Sequence, residues 1–428
     1  MIEVIIAVDE NDGIGKEGKL PWHLPEELGL FKYKTMDSVL IVGRKTSETL
    51  PPLYNREIIT VSKTGEIDSI EKALIKARQT NKRKIFIAGG AELYNEIFKN
   101  YIHLVSRIHI SFINGIHNCD VFVTSIPFFR FNCVSHQEFK GFIHEVYEPK
   151  YPCGEVQYLT LLNDTLLSNN FTYGRNGKVI SQFGKSLSFN MTKEFPLLTT
   201  KKMFLRGVVE ELLFFLRGQT DTTILEKKGV NIWKLNTVER GGLMGPMYGS
   251  QWRHFNANLD DFDVETSTYR GGYDQLQNVI NLIKTDPKSR RILMTTFNPI
   301  QADKGVLYPC HSIANQFYVD GEYLDMTCYN RSSDLFLGLP FNIASSSLLL
   351  LIIAKLTNYK PRMLHLYLGD CHIYDSHIDA VKTQLQRVPK SPPKMTLKDF
   401  QSLEELSFDH FVLSEYESHN SIKAEMVK

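Results

Sequence analysis

A cluster of chain-breaking residues, Glu148-Pro149-Lys150-Tyr151-Pro152-Cys153-Gly154, divides the sequence into two stretches whose hydrophobic patterns obey different rules. Before it, apolar runs of strand length alternate with helical patterns. Val39-Leu40-Ile41-Val42 ends at Gly43, and Ile58-Ile59-Thr60-Val61 follows. Lys84-Ile85-Phe86-Ile87-Ala88 closes on Gly89-Gly90 and leads into a helical pattern over 92–98. Runs that are apolar on both faces are buried on both faces, so this alternation predicts a largely parallel α/β sheet. Residues 108–112 and 143–147 read as strands with no long helix between them and predict an antiparallel edge. After the cluster, helices are expected over 203–217 and 343–356, and strands over 291–297, 314–319, 323–329 and 363–368, the pattern of an α+β domain. Residues 157–167 are already helical in pattern, so the connection is short. The expected organisation is an α/β domain over 1–149, a linker over 150–156 and an α+β domain over 157–428.

Charge and cysteine usage narrow the function classes. Lys plus Arg is 49 and Asp plus Glu is 48, a net charge of +1. That balance supplies no long-range field to hold a polynucleotide, so no nucleic-acid partner is expected and any bound anion must be gripped by local residues. The N-terminal apolar run meets Asp9 too early for a secretory signal. The most apolar stretch, 343–356, contains three serines and Lys355 and falls short of the ~20 residues a membrane span requires, so a buried helix and no membrane partner are expected. The six cysteines (119, 133, 153, 310, 328 and 371) form no CxxC pair, which argues against a disulfide scaffold or a metal site and for a reducing, cytoplasmic setting.

In the front third, Pro21-Trp22-His23-Leu24-Pro25-Glu26-Glu27-Leu28 opens a helix that places Leu24, Leu28 and Phe31 on one stripe. Glu27 lies beside it, where a carboxylate can anchor a cationic or amidine-like ligand or supply a proton through a raised pKa. From the pattern alone, an exposed glutamate at the stripe edge is the commoner outcome. Gly43-Arg44-Lys45-Thr46 follows a strand and should begin a helix, where backbone N–H groups favour phosphate. The two adjacent cations suit an additional phosphate, as on NADP rather than NAD. Gly89-Gly90-Ala91 is a second turn open to close pyrophosphate approach, although it lacks full GxGxxG spacing.

Ile14-Gly15, Leu20-Pro21-Trp22, Glu27, Phe31, Gly43-Arg44-Lys45-Thr46, Arg56 and Gly89-Gly90 with Tyr94 stand in the order and spacing of dihydrofolate reductases, and residues 1–149 resemble that family. The resemblance implies NADPH-dependent reduction of dihydrofolate. It makes Glu27 the pterin-binding carboxylate, Phe31 a substrate-packing residue and Arg56 the partner of the folate glutamate carboxylate. Ser111 helps hold Glu27 and the pterin. Ala7, Ile14, Gly15, Arg44, Lys45, Thr46, Lys63, Gly89 and Gly90 line the NADPH site. The Leu50-Pro51-Pro52-Leu53 loop before Arg56 is short for the family.

In the back two thirds, Tyr308-Pro309-Cys310-His311 sits between a loop and a strand. A cysteine attacks only as thiolate, so it needs cationic neighbours, and Arg331 and Arg290-Arg291 are the candidates. By residue type alone, a lone cysteine is more often a small core residue. The expected helix at 203–217 carries Glu211 among apolar residues, where its pKa should rise and suit proton shuttling, while Glu210 can point away. Asn330-Arg331-Ser332-Ser333-Asp334 offers a guanidinium and hydroxyls to an oxyanion, and Asp370, His372 and Tyr374 share one side of an extended segment.

Those elements, with Asp334-Leu335-Phe336-Leu337-Gly338-Leu339-Pro340-Phe341-Asn342 and Gly369-Asp370-Cys371-His372-Ile373-Tyr374, resemble thymidylate synthases throughout about 155–428. The resemblance implies that Cys310 adds to carbon 6 of dUMP and that carbon 5 then attacks methylenetetrahydrofolate. Glu211 handles protons through water, and elimination with hydride transfer yields dTMP and dihydrofolate. Arg175, Arg331 and Ser332 hold the phosphate, with Arg290 and Arg291 supplied by a second subunit. His372 and Tyr374 bind the ribose, Tyr248 lines the nucleotide site, and Asn342 reads the uracil edge. Asn342 argues against the hydroxymethylating relatives, which carry Asp there. Asp334, Trp233, Leu337 and Gly338 form the folate site. Three positions depart from the family pattern: the loop at Arg175-Asn176-Gly177-Lys178 is one residue short, Lys234 replaces a common Asp, and Asn330 replaces a common Gln. The implied assembly is a homodimer through the back domain. The reductase consumes the dihydrofolate that the synthase releases, so each half supports the other. A degenerate pair serving as a dimerising or RNA-binding protein is the non-enzymatic rival, against which Cys310, Glu211 and Glu27 all stand.

Overall fold

Strand β1 (Ile2–Val8) is apolar on both sides and lies in the middle of a seven-stranded sheet, as such a strand must. The computed structural model describes residues 2–80, 82, 84–124, 126–150, 153–168, 170–174 and 176–427. The chain forms two compact units, one of residues 1–156 with 386–391, the other of residues 157–385 with 392–428. The grouping of 386–391 with the first unit is not anticipated by sequence. Val388 is buried in that unit's core, and Arg387 O accepts from Arg78 Nη1 at 3.0 Å.

In the first unit β1 is followed by β2 (Gly13–Gly15), α1 (Pro25–Thr35), β3 (Ser38–Gly43), α2 (Arg44–Thr49), β4 (Arg56–Val61), α3 (Ile70–Arg78), β5 (Lys84–Ile87), α4 (Ala91–Asn100), β6 (Val105–Ile113), β7 (Val121–Phe122), β8 (Phe131–Phe139) and β9 (Phe142–Pro149). The sheet order is β4-β3-β5-β1-β6-β9-β8. Strands β4 through β6 pair in parallel and β9 and β8 add antiparallel, the mixed sheet expected. Helices α3 and α4 bury Leu74, Ala77, Leu93 and Ile97 against one face. On the other face Phe31 of α1 packs over Ile5, Leu40 and Phe86, and Ala7, Leu24 and Leu30 pack against a cluster of Trp22, Ile113 and Phe142.

The α1 stripe differs from the expectation. Leu28 is 42% exposed and Glu27 is buried. Glu27, Phe31 and Thr35 are spaced by four residues, so the buried line runs through Glu27, and Leu28, one residue and about 100° further round, turns to solvent.

The chain enters the second unit within α5 (Gly154–Leu167), followed by β10 (Phe171–Gly174), β11 (Gly177–Asn190), α6 (Leu205–Leu216), α7 (Thr223–Glu226), α8 (Lys234–Thr237) and α9 (Gly249–Arg253). It continues through β12 (Phe262–Asp263), β13 (Thr268–Tyr269), α10 (Gln275–Thr285), β14 (Leu293–Thr295), β15 (Ala314–Asp320), β16 (Tyr323–Asp334), α11 (Gly338–Leu356), β17 (Lys360–Tyr374), α12 (Ile378–Leu385), β18 (Lys394–Leu397) and β19 (Phe411–Ser414). Its large sheet runs β10-β11-β17-β16-β15-β14 with one parallel pair, β16 with β17. Helices α6 and α11 pack on one face. Helix α11 is long and apolar enough to cross a membrane by length and composition, yet its middle is core: Leu348, Leu350 and Ile353 are fully buried.

Two strands run on past the limits expected for them, 329 and 368, because β16 and β17 pair in register as far as Asp334 and His372. The strand expected over 291–297 is instead cut to three residues. Thr295 Oγ1 donates to Ile313 O and accepts from Phe297 N at 3.0 Å, so a side chain takes over where the ladder would continue.

Candidate active sites

The first site forms where α1 crosses the sheet. Ala7, Ser111 and His144 are register partners across β1, β6 and β9, so their side chains project from one face, the face that α1 covers. Burial pushes the Glu27 carboxyl up, while a hydrogen bond from the Ser111 hydroxyl pulls it back down. Tyr94 donates to Ile5 O at 2.6 Å; burial and then the Glu27 charge hold its hydroxyl protonated. Arg56 reaches from β4 to α1, with Nη1 3.3 Å from Thr35 Oγ1. Trp22 is buried with its ring edge-on to His117, and its Nε1 has no hydrogen-bond partner among the described residues. The resemblance had brought in Trp22 as part of a motif and given it no role.

Next to this pocket the ends of β3 and β5 meet. Gly43 N donates to Gly89 O at 2.7 Å. A Cβ at Gly90 would stand 3.1 Å from Thr46 Oγ1, and Gly89 has φ +111°, so side chains are excluded where the turn presses on α2. Both α2 and α4 start without a side-chain cap, which leaves their first N–H groups directed outward. Arg44, paired with Glu48 at 2.9 Å, and exposed Lys45 stand at the α2 start, and Lys63 lies 3.9 Å from Glu92. Two open helix starts, a glycine cradle and three cations fit a phosphorylated dinucleotide such as NADPH. Ile14 packs on the core, and Gly15 is half-buried near Lys19 O.

The second site is organised around Cys310. Gly249 opens α9 with its backbone against α6, and a Cβ there would lie 2.2 Å from Phe215 O. The preceding Tyr248 takes φ +44°, rare for a bulky residue, and its hydroxyl lies 3.2 Å from Cys310 Sγ. His311 stacks on the Tyr248 ring at 4.2 Å and is pushed down to about 4 by burial, so it is neutral. Burial pushes the Cys310 thiol up, and the Tyr248 hydrogen bond and the Arg331 charge act against it. Arg331 Nε donates to Pro309 O at 3.0 Å, and Ser332 N donates to Cys310 O at 3.1 Å, which ties the thiol to β16. Asn330 Oδ1 accepts from Ser312 N at 3.0 Å, so the amide that departs from the family pattern braces the turn after Cys310.

Glu211 lies one turn before Phe215, and Trp233 Nε1 donates to it at 2.7 Å. Burial pushes its carboxyl up to about 7. Glu210 does not point away: it is buried and bonded to Lys228 at 2.6 Å, because α6 is surrounded by chain on nearly all sides. Asp334 Oδ1 accepts from Phe336 N and Leu337 N, which fixes the carboxylate ahead of Leu337 and Gly338. His372 Nδ1 lies 2.6 Å from Asp370 Oδ1 and its ring sits edge-on to Tyr374 at 5.0 Å. The Tyr374 hydroxyl is pushed up by burial and by the charges of Asp334, Cys310 and Asp370, which places it among them. Asn342 is half-buried on the first turns of α11.

Arg175 lies outside the described residues. Arg290 and Arg291 are exposed at the sheet edge before β14, where the turn after α10 carries them outward, and the cation that leads at Cys310 is Arg331. Lys234 pairs with Glu226 at 3.0 Å on the surface.

One unit thus joins a buried carboxyl to a dinucleotide cradle, and the other joins a half-buried thiol to a proton-holding glutamate: the class is a two-site enzyme of group-transfer and hydride chemistry. The dihydrofolate reductase family model matches residues 1–151 and the thymidylate synthase model matches residues 156–428. A bifunctional dihydrofolate reductase-thymidylate synthase of Paramecium tetraurelia is 36% identical over 99% of this chain and 98% of its own length. Those of Zea mays and Leishmania major are 34% and 32% identical, over 99% of this chain and 96% and 94% of their own. The chain belongs to the bifunctional dihydrofolate reductase–thymidylate synthase family.

Proposed function

We propose that the chain converts dUMP to dTMP with methylenetetrahydrofolate in its second unit and reduces the dihydrofolate released, with NADPH, in its first. The observation that carries the reading is the pairing in one unit of Cys310, 3.2 Å from the Tyr248 hydroxyl, with Glu211, protonated up to about pH 7. Domain limits at 1–149 and 157–428 accord with it.

In the synthase unit the half-buried thiol must ionise to add to carbon 6 of dUMP. Arg331 favours the thiolate electrostatically, and dUMP phosphate brought between Arg331 and Ser332 completes the charge balance. Arg175 is assigned to the same phosphate. Glu211 holds a proton for exchange with the pyrimidine and folate, and Trp233 Nε1–H stabilises its ionised form after release. Asn342 offers a donor and an acceptor to the uracil edge, His372 and Tyr374 meet the ribose, and Asp334 receives the pterin beside Trp233, Leu337 and Gly338.

In the reductase unit Glu27 and Ser111 hold the pterin, Phe31 packs on it, and Arg56 meets the carboxylate of the folate tail. NADPH supplies the hydride. Arg44, Lys45, Thr46, Lys63, Gly89 and Gly90 hold its phosphates, and Ala7, Ile14 and Gly15 line its nicotinamide end. The six free cysteines suit the cytoplasm.

The sheet of the second unit supports a homodimer. Phe183, Tyr318, Tyr329 and Tyr367 stand exposed on its β11, β15, β16 and β17, opposite the packed helices, and Phe183 is 80% exposed. A second copy laid on this face buries those rings and brings a partner's Arg290 and Arg291 within reach of the phosphate.

The test is a coupled assay with dUMP, methylenetetrahydrofolate and NADPH. Dihydrofolate formation followed by NADPH loss is expected, with Cys310→Ala abolishing the first and Glu27→Gln the second. Turnover of dCMP in place of dUMP would overturn the reading of Asn342.

A further inference from the structure

Behind Glu27 and Ser111 lie two buried histidines that the proposed chemistry does not use. His144 Nδ1 is 3.2 Å from Ser111 Oγ, and the Ser111 hydroxyl lowers the Glu27 carboxyl against its burial. His109, two residues before Ser111 on the same face of β6, lies nearly parallel to the His144 ring at 6.0 Å. Its Nε2 meets Glu3 Oε2 at 2.8 Å. All of Glu27, Ser111, His109 and His144 are buried. A hydroxyl has one proton to give. If Ser111 donates it to the Glu27 carboxylate, then Ser111 must accept from His144, and His144 must carry its proton on Nδ1.

The surroundings fix that direction. Among the described residues His144 Nε2 is buried without a partner. With the proton on Nδ1, the unpartnered nitrogen is a bare acceptor, which costs less than a buried orphan N–H. The reverse tautomer would take the Ser111 proton and leave Ser111 able only to accept from a protonated Glu27.

We propose that His144 is a positioning residue of the reductase site: by donating Nδ1–H to Ser111 it commits the Ser111 proton to the Glu27 carboxylate. The inference rests on the reading of Glu27 as the pterin-binding carboxylate. His144 stays neutral, since burial, then His109 and Lys34, push it down to about 4, with Glu145 opposing. The charged groups acting on it are Lys34 from α1, His109 from β6 and Glu145 from its own strand, with Glu27 beyond Ser111. Glu3 lies behind His109 on β1; burial would raise its carboxyl, but the His109 bond, with Lys84 and Arg107, holds it low.

The test is the pH profile of kcat/KM for dihydrofolate reduction by the full chain. His144→Phe keeps an aromatic ring and removes the donor, so the profile should shift upward by ~0.5–1 pH unit as Glu27 loses its committed partner. His144→Asn places an amide N–H near the Nδ1 position and should restore the profile. On a Ser111→Ala background, His144→Phe should add no further shift. An unchanged profile, a shift that Asn does not restore, or an equal shift without Ser111 would overturn the proposal. Histidine-selective 15N spectra of the unaltered chain need no variant: a proton on Nδ1 supports it and a proton on Nε2 overturns it. Glu27→Gln separates the two readings, because full activity in that variant defeats the assignment of Glu27 itself, whatever His144 does.

Discussion

Glu211 illustrates how one side chain is charged against its environment. Burial raises its carboxyl from about 4.5 to about 7. Between those values the unfolded chain has released a proton that the folded chain keeps, so stability falls as pH rises through this window and stays lowered above it. Glu211→Gln retains an acceptor for Trp233 Nε1–H and removes the ionisation. The variant should therefore gain stability over the unaltered chain at pH 8, by on the order of 1–3 kcal/mol, and little at pH 5. Urea denaturation at the two pH values measures it; equal effects at both would mean that the carboxyl does not titrate there. Dihydrofolate formation should fall at least ~10²-fold in the same variant. The setting of Glu211 was legible in the sequence because 3.6-residue periodicity places it among apolar neighbours. That of Glu210 was not, since a helix wrapped by chain on all sides has no outward face. Tyr248 carried no pattern of its own: its position depends on a positive φ and on the close seat of Gly249. His144 showed no signal either, because its partner Ser111 lies 33 residues away in sequence and meets it only through strand register.

Among the elements, the short helices set the active geometry. Helix α9 has five residues and owes its place to contact with α6 rather than to its own propensity. Gly249→Ala puts a Cβ 2.2 Å from backbone at Phe215, which cannot rotate aside. The helix must move, at a cost of ~1–3 kcal/mol, and carry Tyr248 away from Cys310. Synthase kcat should drop ~10-fold or more while dihydrofolate reduction in the other unit is unchanged; loss of both activities would mean global unfolding instead. The α2 start behaves differently, because its function lies in exposed charge. Arg44→Ala with Lys45→Ala should raise the KM for NADPH ~10–100-fold and leave that for NADH within ~2-fold, since the NADH ribose lacks the additional phosphate. Steady-state kinetics with both cofactors decide it, and an equal rise for both would place these cations elsewhere. Long elements were readable from periodicity, as the parallel order of β3, β4 and β5 illustrates. Strand ends were not, because β16 and β17 extend one another by pairing and β14 is cut short by a threonine hydroxyl.

At the scale of the molecule, the exposed sheet of the second unit and the outward Arg290 and Arg291 support one arrangement. Four aromatic rings stand exposed on that sheet, Phe183, Tyr318, Tyr329 and Tyr367, a surface of the kind that marks an association site. If two copies meet there, each phosphate site takes arginines from the other, and a chain damaged in Cys310 can lend its arginines to a chain damaged in them. Cys310→Ala dimers lack the nucleophile in both sites. Arg290→Ala, Arg291→Ala dimers lack the donated cations in both. When the two are mixed and allowed to exchange subunits, half of the dimers are hybrids. In each hybrid one site carries both defects and the other carries neither. One intact site in half of the dimers restores ~25% of the unaltered synthase activity from two inactive parents. Dihydrofolate reduction, confined to the first unit, stays at full level throughout and serves as the internal measure of protein. Phe183→Glu with Tyr367→Glu should abolish the recovery by leaving the chain monomeric, as light scattering would record. No recovery on mixing, with exchange confirmed by differently tagged subunits, would mean that each phosphate is held within a single chain and that the arginines at the edge of β14 serve another purpose.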